Sequence, residues 1–340
     1  MEKREISAGR FRYLDGLKGI FIFAIVFFHV GAPFNHVFDG LEFFYNFGGT
    51  IGNIFFFMVS GFLISYVYKN KIRQGMFTCI EFIKKRLRNL YPTYLMTIIV
   101  LIGIQGIPNL KILSLNLLLV MSGWIEDYTA INSPCWFLSQ LMLCYIIHFI
   151  IIKFVSRDKY LFILILMAIW GQILLKMNLQ LPFCYIHDGE GFRNYFMGCL
   201  VWEACSRYGE EKRLLIYLGE VMWLSVIIGS LIWGGEKVAG DIDFVFGVLL
   251  IPSLLYICNA GKMNKLFQLE ILQKLGKISV YIFFWHIPVL KIYLFCIRNV
   301  FFSDKIKLVL YVAILIFWCA AYKWILEKTV KLFRNNLSNM

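Results

Sequence analysis

The 340-residue chain is 60% hydrophobic and 16% charged, with a mean hydropathy of +0.70. Ordinary soluble domains carry about 25% charged residues, so the composition excludes a soluble globular protein and indicates one polytopic membrane domain, residues 1–340 with a core over 10–330. The formal charge of +13 fits Lys- and Arg-rich loops on the cytoplasmic face of a membrane and, in part, an anionic ligand; nucleic acid is not needed to explain it.

The N-terminus has the look of a signal peptide, with Lys3, Arg4, Arg10 and Arg12 ahead of an apolar run. That run is long enough to span and no small-residue cleavage site follows it, so it reads as a retained helix over 15–35. Lys18 and His29 lie in it, eleven residues apart. Eleven helical residues make about three turns, so the two side chains share a face, separated by about 16 Å along the axis. Lys18 can snorkel to the headgroups. An imidazole deep in the bilayer is costly and marks either a functional group or a hydrogen-bonded helix contact.

Further apolar runs follow at 52–68, 91–107, 135–153, 160–176, 192–206, 214–234, 242–258, 279–297 and 306–326. The run 192–206 is short. A segment at 110–123 is broken by Lys111, Ser114 and Asn116 and is too short to span comfortably. Charge decides its status. If it does not span, one face of the membrane holds both termini and 24 of the 34 Lys and Arg, whereas the other holds Lys111, Lys237, Arg298, Lys305 and Lys307. Counting it as spanning destroys that asymmetry. The expected fold is therefore an all-α bundle of about ten spanning helices plus one re-entrant or interfacial segment, with both termini cytoplasmic.

Nine cysteines form no framework. Most lie in apolar runs as small core residues; Cys135 and Cys184 fall near outer loops, where a pairing is open. The longest outer connection, 108–134, carries Trp124, Glu126, Asp127 and Tyr128, a set suited to stacking on a sugar or to an interfacial belt. His36 and His187 read as loop histidines, and His148 falls in a spanning run.

Four stretches carry chemistry: Lys18 to His29; Phe55 to Ile64, with Ser60-Gly61; Phe82 to Pro92, with Lys84, Lys85, Arg86 and Arg88; and Gly276 to Tyr281 followed by Trp285-His286-Ile287-Pro288. Histidine suits the removal of a hydroxyl proton because its unperturbed pKa lies near neutrality. Clustered cations suit phosphate. Ser60-Gly61 suits close helix packing, and no Gly-x-Ser-x-Gly context makes Ser60 a nucleophile.

In this order along the chain, from Leu14 to the last helix, these stretches resemble the acyltransferase-3 family of integral membrane O-acyltransferases. The resemblance implies transfer of an acyl group, most often acetyl, from cytoplasmic acyl-coenzyme A to a hydroxyl of an extracytoplasmic glycan or cell-envelope polysaccharide. It implies a multi-pass protein of the plasma membrane with acetyl-coenzyme A as donor substrate, no bound cofactor and no metal. His29 takes the family's catalytic position, paired with Lys18. Lys85 and Arg88 fill an Arg-x-x-Arg pattern seven and four residues before Pro92 at a helix start, and Lys84 and Arg86 add charge; the lysine at 85 loses the bidentate fork of arginine. His286, Tyr281, Trp136, Ser139 and Tyr145 match supporting positions. Leu141 stands where many members have an acidic residue, a departure that signals either the branch that includes polysaccharide-intercellular-adhesin succinyltransferase-like proteins or another acceptor. A transporter or flippase of a glycan or lipid-linked intermediate is the alternative, although inverted repeats and paired broken helices are not evident.

Overall fold

The computed structural model describes residues 11–34, 37, 42–126, 128–177, 179–208, 216–221, 242–259 and 264–338. Among them the chain is all-helical. The elements are α1 (Arg12–Phe34), α2 (Glu42–Arg73), α3 (Cys79–Gln105), α4 (Leu110–Leu117), a 3-10 turn (Ser133–Cys135), α5 (Trp136–Phe154), α6 (Arg157–Met177) and α7 (Ile186–Tyr208). After these come α8 (Ile242–Phe244), a π-helical turn (Val245–Leu250), α9 (Ile251–Asn259), α10 (Asn264–Phe267), α11 (Glu270–Ile297) and α12 (Asp304–Ser338).

Seven described helices are long and apolar enough to cross a membrane: α1, α2, α3, α5, α6, α11 and α12. The protein is accordingly a multi-pass membrane protein. The run expected at 192–206 is longer than its apolar core, because α7 has 23 residues and takes Asp188, Glu190, Arg193, Glu203 and Arg207 into its length. The run expected at 242–258 is made of three helical pieces, with the π turn directly ahead of Pro252. The run expected at 214–234 lies mostly outside the described residues, where only 216–221 are helical.

Two boundaries differ from the sequence expectation. First, α3 starts at Cys79, not near Pro92, because Thr78 and Glu81 form a reciprocal capping box there. The basic cluster 84–88 is thus helical, and Pro92 lies inside the helix instead of starting it. Second, the segment 110–123 holds the eight-residue helix α4, about 12 Å long on ideal rise and far short of a bilayer. Asn109 caps it, its side chain accepting from the Ile112 N–H at 2.8 Å. Asn116 fastens it, donating to the carbonyls of Ile112 and Thr129 and accepting from the N–H of Ile131. His187 belongs to the first turn of α7 rather than to a loop. Cys135 and Cys184 are both free. His36 and Asp127 lie outside the described residues.

Packing runs through the bundle in a chain of neighbours. α1 lies between α2 and α11; α2 also packs on α7, and α7 on α6; α11 also packs on α12 and α3. α5 is the most enclosed spanning helix, with 78% of its apolar window buried against 22% for α12. On α12 the apolar Phe317 and Trp324 stay exposed, as a lipid-facing surface requires. Close helix approaches need glycine, as two examples show. A Cβ at Gly276 would run into the carbonyl oxygen of Asp15, so α11 and α1 touch backbone to backbone. A Cβ at Gly61 would run into the carbonyl of Tyr195, so α2 and α7 do the same, in keeping with the small-residue reading of Ser60-Gly61.

The orientation expected from charge is testable with single cysteines in a cysteine-free background. A membrane-impermeant maleimide applied to intact cells should label Glu126→Cys and spare Lys71→Cys and Ser338→Cys. Labelling at position 338 from outside would overturn the shared placement of the termini.

Candidate functional site

A cavity of about 460 Å³ lies among α1, α2, α3, α5 and α11. Four cations line it, Lys18, Lys85, Arg86 and Lys277, with a single carboxylate, Asp15, bonded to Lys18 at 3.2 Å. They come from the N-terminal turns of three different helices. Two of them are seated over aromatic faces: the Lys85 ammonium is 5.0 Å from the Phe77 ring, and the Arg86 guanidinium is 4.6 Å from the Tyr68 ring. Arg86 Nη2 also donates to the Tyr68 hydroxyl at 2.6 Å. Its Nε is buried without a hydrogen-bond partner among the described residues.

The far wall is aromatic. Phe56, Phe137, Phe283 and Phe284 line it together with Leu138 and Leu141. Two contacts place α5 against its neighbours here. Phe149, late in α5, meets Phe82 at the start of α3 with centroids 5.8 Å apart. Asn132, just before α5, reaches the Phe284 carbonyl in mid-α11 at 3.0 Å. The second contact answers a need created by Pro288. Proline has no N–H, so the carbonyl four residues earlier, that of Phe284, loses its helical partner; the Asn132 amide supplies one.

Just past this wall lies His286. Its ring centroid is 6.3 Å from that of Phe283 and 5.1 Å from that of His29. His286 is fully buried and His29 half-buried. The structure thus brings together, on α1 and α11, two histidines that lie 257 residues apart in the chain.

The other sequence candidates are placed as follows. Lys18, Lys85, Arg86 and Tyr145 line the cavity, whereas Lys84 and Arg88 are exposed and outside its lining. Tyr281 points to α12, its ring 5.8 Å from that of Tyr322. Trp136 packs on His187 at 4.3 Å and on Phe57 at 6.2 Å. The Ser139 hydroxyl is buried and donates to the Ser122 carbonyl at 2.9 Å. Residues that sequence reasoning did not single out also line the cavity, Asp15, Asn89 and Ser279 among them.

Sequence reasoning also missed two buried ionic contacts, both involving α7. Arg193, 1% exposed, makes a two-pronged contact with Asp243 at 2.6 and 2.7 Å. Lys69 pairs with Glu203 at 2.6 Å and lies 4.5 Å from the Tyr160 ring. Next to the second pair, His148 bonds the hydroxyls of Tyr195 and Tyr160, each at 2.9 Å. A usable signal was present: Arg193, Glu203 and Asp243 fall inside apolar runs, and such charges need partners.

A family model described as an acyltransferase domain matches residues 11–328. The chain belongs to the acyltransferase-3 family. Its similarity to curated members is low. The O-acetyltransferase OatA of Staphylococcus aureus strain NCTC 8325 / PS 47 is 22% identical over 328 residues, covering 82% of this chain and 51% of that protein. The OatA proteins of strains COL and MRSA252 match to the same extent. The chain therefore spans about half the length of the curated relatives it matches. No solved structure matches the chain.

The ionic contacts of this acyltransferase domain are open to test by thermal unfolding in detergent. Removing one partner of a buried pair leaves the other charge uncompensated and typically costs about 3–5 kcal/mol, while replacing both by apolar groups is often neutral. Glu203→Leu should lower the unfolding temperature clearly. Glu203→Leu combined with Lys69→Met should recover most of the loss; a single variant as stable as the parent would show that the pair carries no weight.

Proposed function

We propose that the chain moves an acyl group, most often acetyl, from cytoplasmic acyl-coenzyme A to a hydroxyl of an extracytoplasmic glycan or cell-envelope polysaccharide in the plasma membrane. The observation that carries this reading is the cavity itself. Four cations from three helices line it together with one carboxylate, and its aromatic wall abuts His286 and, beyond it, His29. Coenzyme A is a long thin molecule with its phosphates at one end and its thioester at the other. Lys18, Lys85, Arg86 and Lys277 suit the phosphates, and the narrow apolar part suits the pantetheine arm. From Lys18 to His29 is about 16 Å along the helix, a distance such an arm covers. The O-acetyltransferase relatives favour acetyl as the group and oxygen as the acceptor atom. Family membership displaces the transporter alternative.

In the chemistry proposed, the acceptor hydroxyl lies at His29 and gives its proton to the imidazole as its oxygen attacks the thioester carbonyl. The new carbon–oxygen bond forms, the carbon–sulfur bond breaks, and the leaving coenzyme A sulfur takes the proton from the imidazolium. Proton and leaving group balance with no further reactant. Trp136, His187 and Tyr128, whose rings form a connected group, offer stacking surface for a sugar at the outer end.

Two measurements test the reading. In membranes supplied with labelled acetyl-coenzyme A, His29→Ala and His29→Gln should both lose about 10²–10⁴ of the transfer rate, the range typical of general acid–base catalysis, with insertion and donor binding intact. The amide keeps one hydrogen bond but accepts no proton near neutral pH, so parent-like transfer by His29→Gln would remove His29 from the mechanism. Arg86→Gln should raise the donor KM about tenfold or more, since a hydrogen bond to a charged group is worth about 1.5–3 kcal/mol, and leave the acceptor KM unchanged. An unaltered donor KM would take Arg86 out of the phosphate site; Arg88→Gln, at an exposed position of the family pattern, reports in the same assay whether that position also contributes.

A further inference from the structure

Among the described residues the bundle buries two histidines completely, and they are satisfied differently. His148 has a tyrosine hydroxyl on each ring nitrogen, the arrangement expected of an imidazole that ties helices together. His286 has a partner on one nitrogen alone. Its Nδ1 lies 3.0 Å from the carbonyl oxygen of Ile282, one turn back on α11. A carbonyl cannot donate, so Nδ1 must carry the proton, and in the neutral ring Nε2 is then left as a bare lone pair. That Nε2 is buried and has no hydrogen-bond partner among the described residues. A buried polar atom without a partner is costly, and an unsatisfied group of this kind calls for an explanation.

The surroundings hold the ring in this state. Asn132 binds the carbonyl freed by Pro288, fixing the course of α11 through the break. The Tyr311 hydroxyl donates to the backbone carbonyl of His286 itself at 2.9 Å, anchoring the same turn from α12. The ring centroid lies 5.1 Å from that of His29, with the planes inclined at 45°. No hydrogen bond to the His29 ring occurs among the described residues, and that ring is partly exposed.

We propose that His286 is the positioning residue of the transfer site. Its Nε2 lone pair accepts the N–H of His29, which turns the other His29 nitrogen toward the acceptor hydroxyl and fixes it as the proton-accepting one. When His29 becomes an imidazolium, the same lone pair stabilises the charge that forms. Here a neutral imidazole does what a carboxylate does in other acid–base pairs, at less cost inside a membrane, where an ionised carboxylate is expensive. This inference rests on the reading of His29 as the base and adds to it the tautomer and the partner.

The test compares three full-length variants with labelled acetyl-coenzyme A and separates kcat from the donor KM. His286→Phe removes the acceptor and keeps apolar bulk. It should lower kcat at least tenfold, by less than the about 10²–10⁴ expected for removing the base itself, and leave the donor KM unchanged. His286→Gln restores an acceptor oxygen and should recover transfer to within a few-fold of the parent, a rescue that a packing role does not predict. His29→Ala serves as the reference: inactivity there together with full activity in His286→Phe would overturn the positioning role while leaving His29 as the base. Parent-like activity of His29→Ala would overturn both. Should His286→Phe fail to fold, the parent protein still decides the matter through ¹⁵N chemical shifts of its labelled histidines, assigned by comparison with His286→Gln. A His286 signal with the proton on Nδ1 and a hydrogen-bonded, unprotonated Nε2 supports the proposal; a proton on Nε2 overturns it.

Discussion

The geometry of the candidate site depends on how closely α1 and α11 approach. At the level of Asp15 and Gly276 the two backbones touch, and no side chain larger than hydrogen fits between them. That contact sets Lys18 and Lys277 on one cavity. Both helices rise by about 1.5 Å per residue, so it also determines which residues meet further along. Position 29 lies fourteen residues beyond Asp15, and position 286 lies ten beyond Gly276. The helices need not stay in contact over that length for two side chains of imidazole size to bridge them, and the ring centroids come within 5.1 Å. One backbone contact thus fixes both ends of the site.

Interruptions of the helices do the rest. Pro288 frees the Phe284 carbonyl, and the molecule meets that vacancy with Asn132 from the turn ahead of α5. The same amide group lies 3.3 Å from the Thr97 hydroxyl of α3. A break in one helix therefore becomes the joint that fastens three elements at the depth of the histidines. Elsewhere, the N–H of Ile251, the residue before Pro252, bonds the carbonyl of Phe246, five residues back, the wider spacing of a π turn. Both interruptions convert an unsatisfied backbone group into an inter-element or altered intrahelical contact, which a bilayer interior demands.

What the sequence made legible was set by the range of the physics. Apolar runs report local burial in lipid, so α1, α2, α3, α5, α6, α11 and α12 were visible as spans, and Lys111, Ser114 and Asn116 marked the segment around α4 as too polar and too short. The start of α3 was misplaced because hydropathy weighed against the basic residues 84–88, while a capping box at Thr78 and Glu81, a purely local signal, overrode it. α7 looked short because Asp188 and Glu190 before its apolar core and Arg207 after it count as its limits; inside the core, Arg193 and Glu203 find partners in Asp243 and Lys69, 50 and 134 residues away, only in three dimensions. At the site, the spacing of Lys18 and His29 gave a shared face. It gave nothing of His286 at its side, because that pairing depends on the packing of α1 against α11. The choice between Arg86 and Arg88 as a cavity residue was likewise not readable, since it rests on the turn of α3 that faces Tyr68.

The basic end of the cavity calls for more than the ordinary excess of positive charge on a cytoplasmic face. That excess fixes orientation and is met by cations spread anywhere on the surface. Lys84 and Arg88 satisfy it from outside the cavity lining. Lys18, Lys85, Arg86 and Lys277 do something different: they leave three helices to line one partly enclosed space that holds a single carboxylate. Like charges brought together repel, and the repulsion grows as water is excluded. Aromatic faces beneath Lys85 and Arg86 offset part of it. Holding cations where they repel one another is understandable if a polyanion enters among them, and the phosphates of a coenzyme A ester are such a polyanion. Orientation alone accounts for the number of cations and leaves their convergence unexplained.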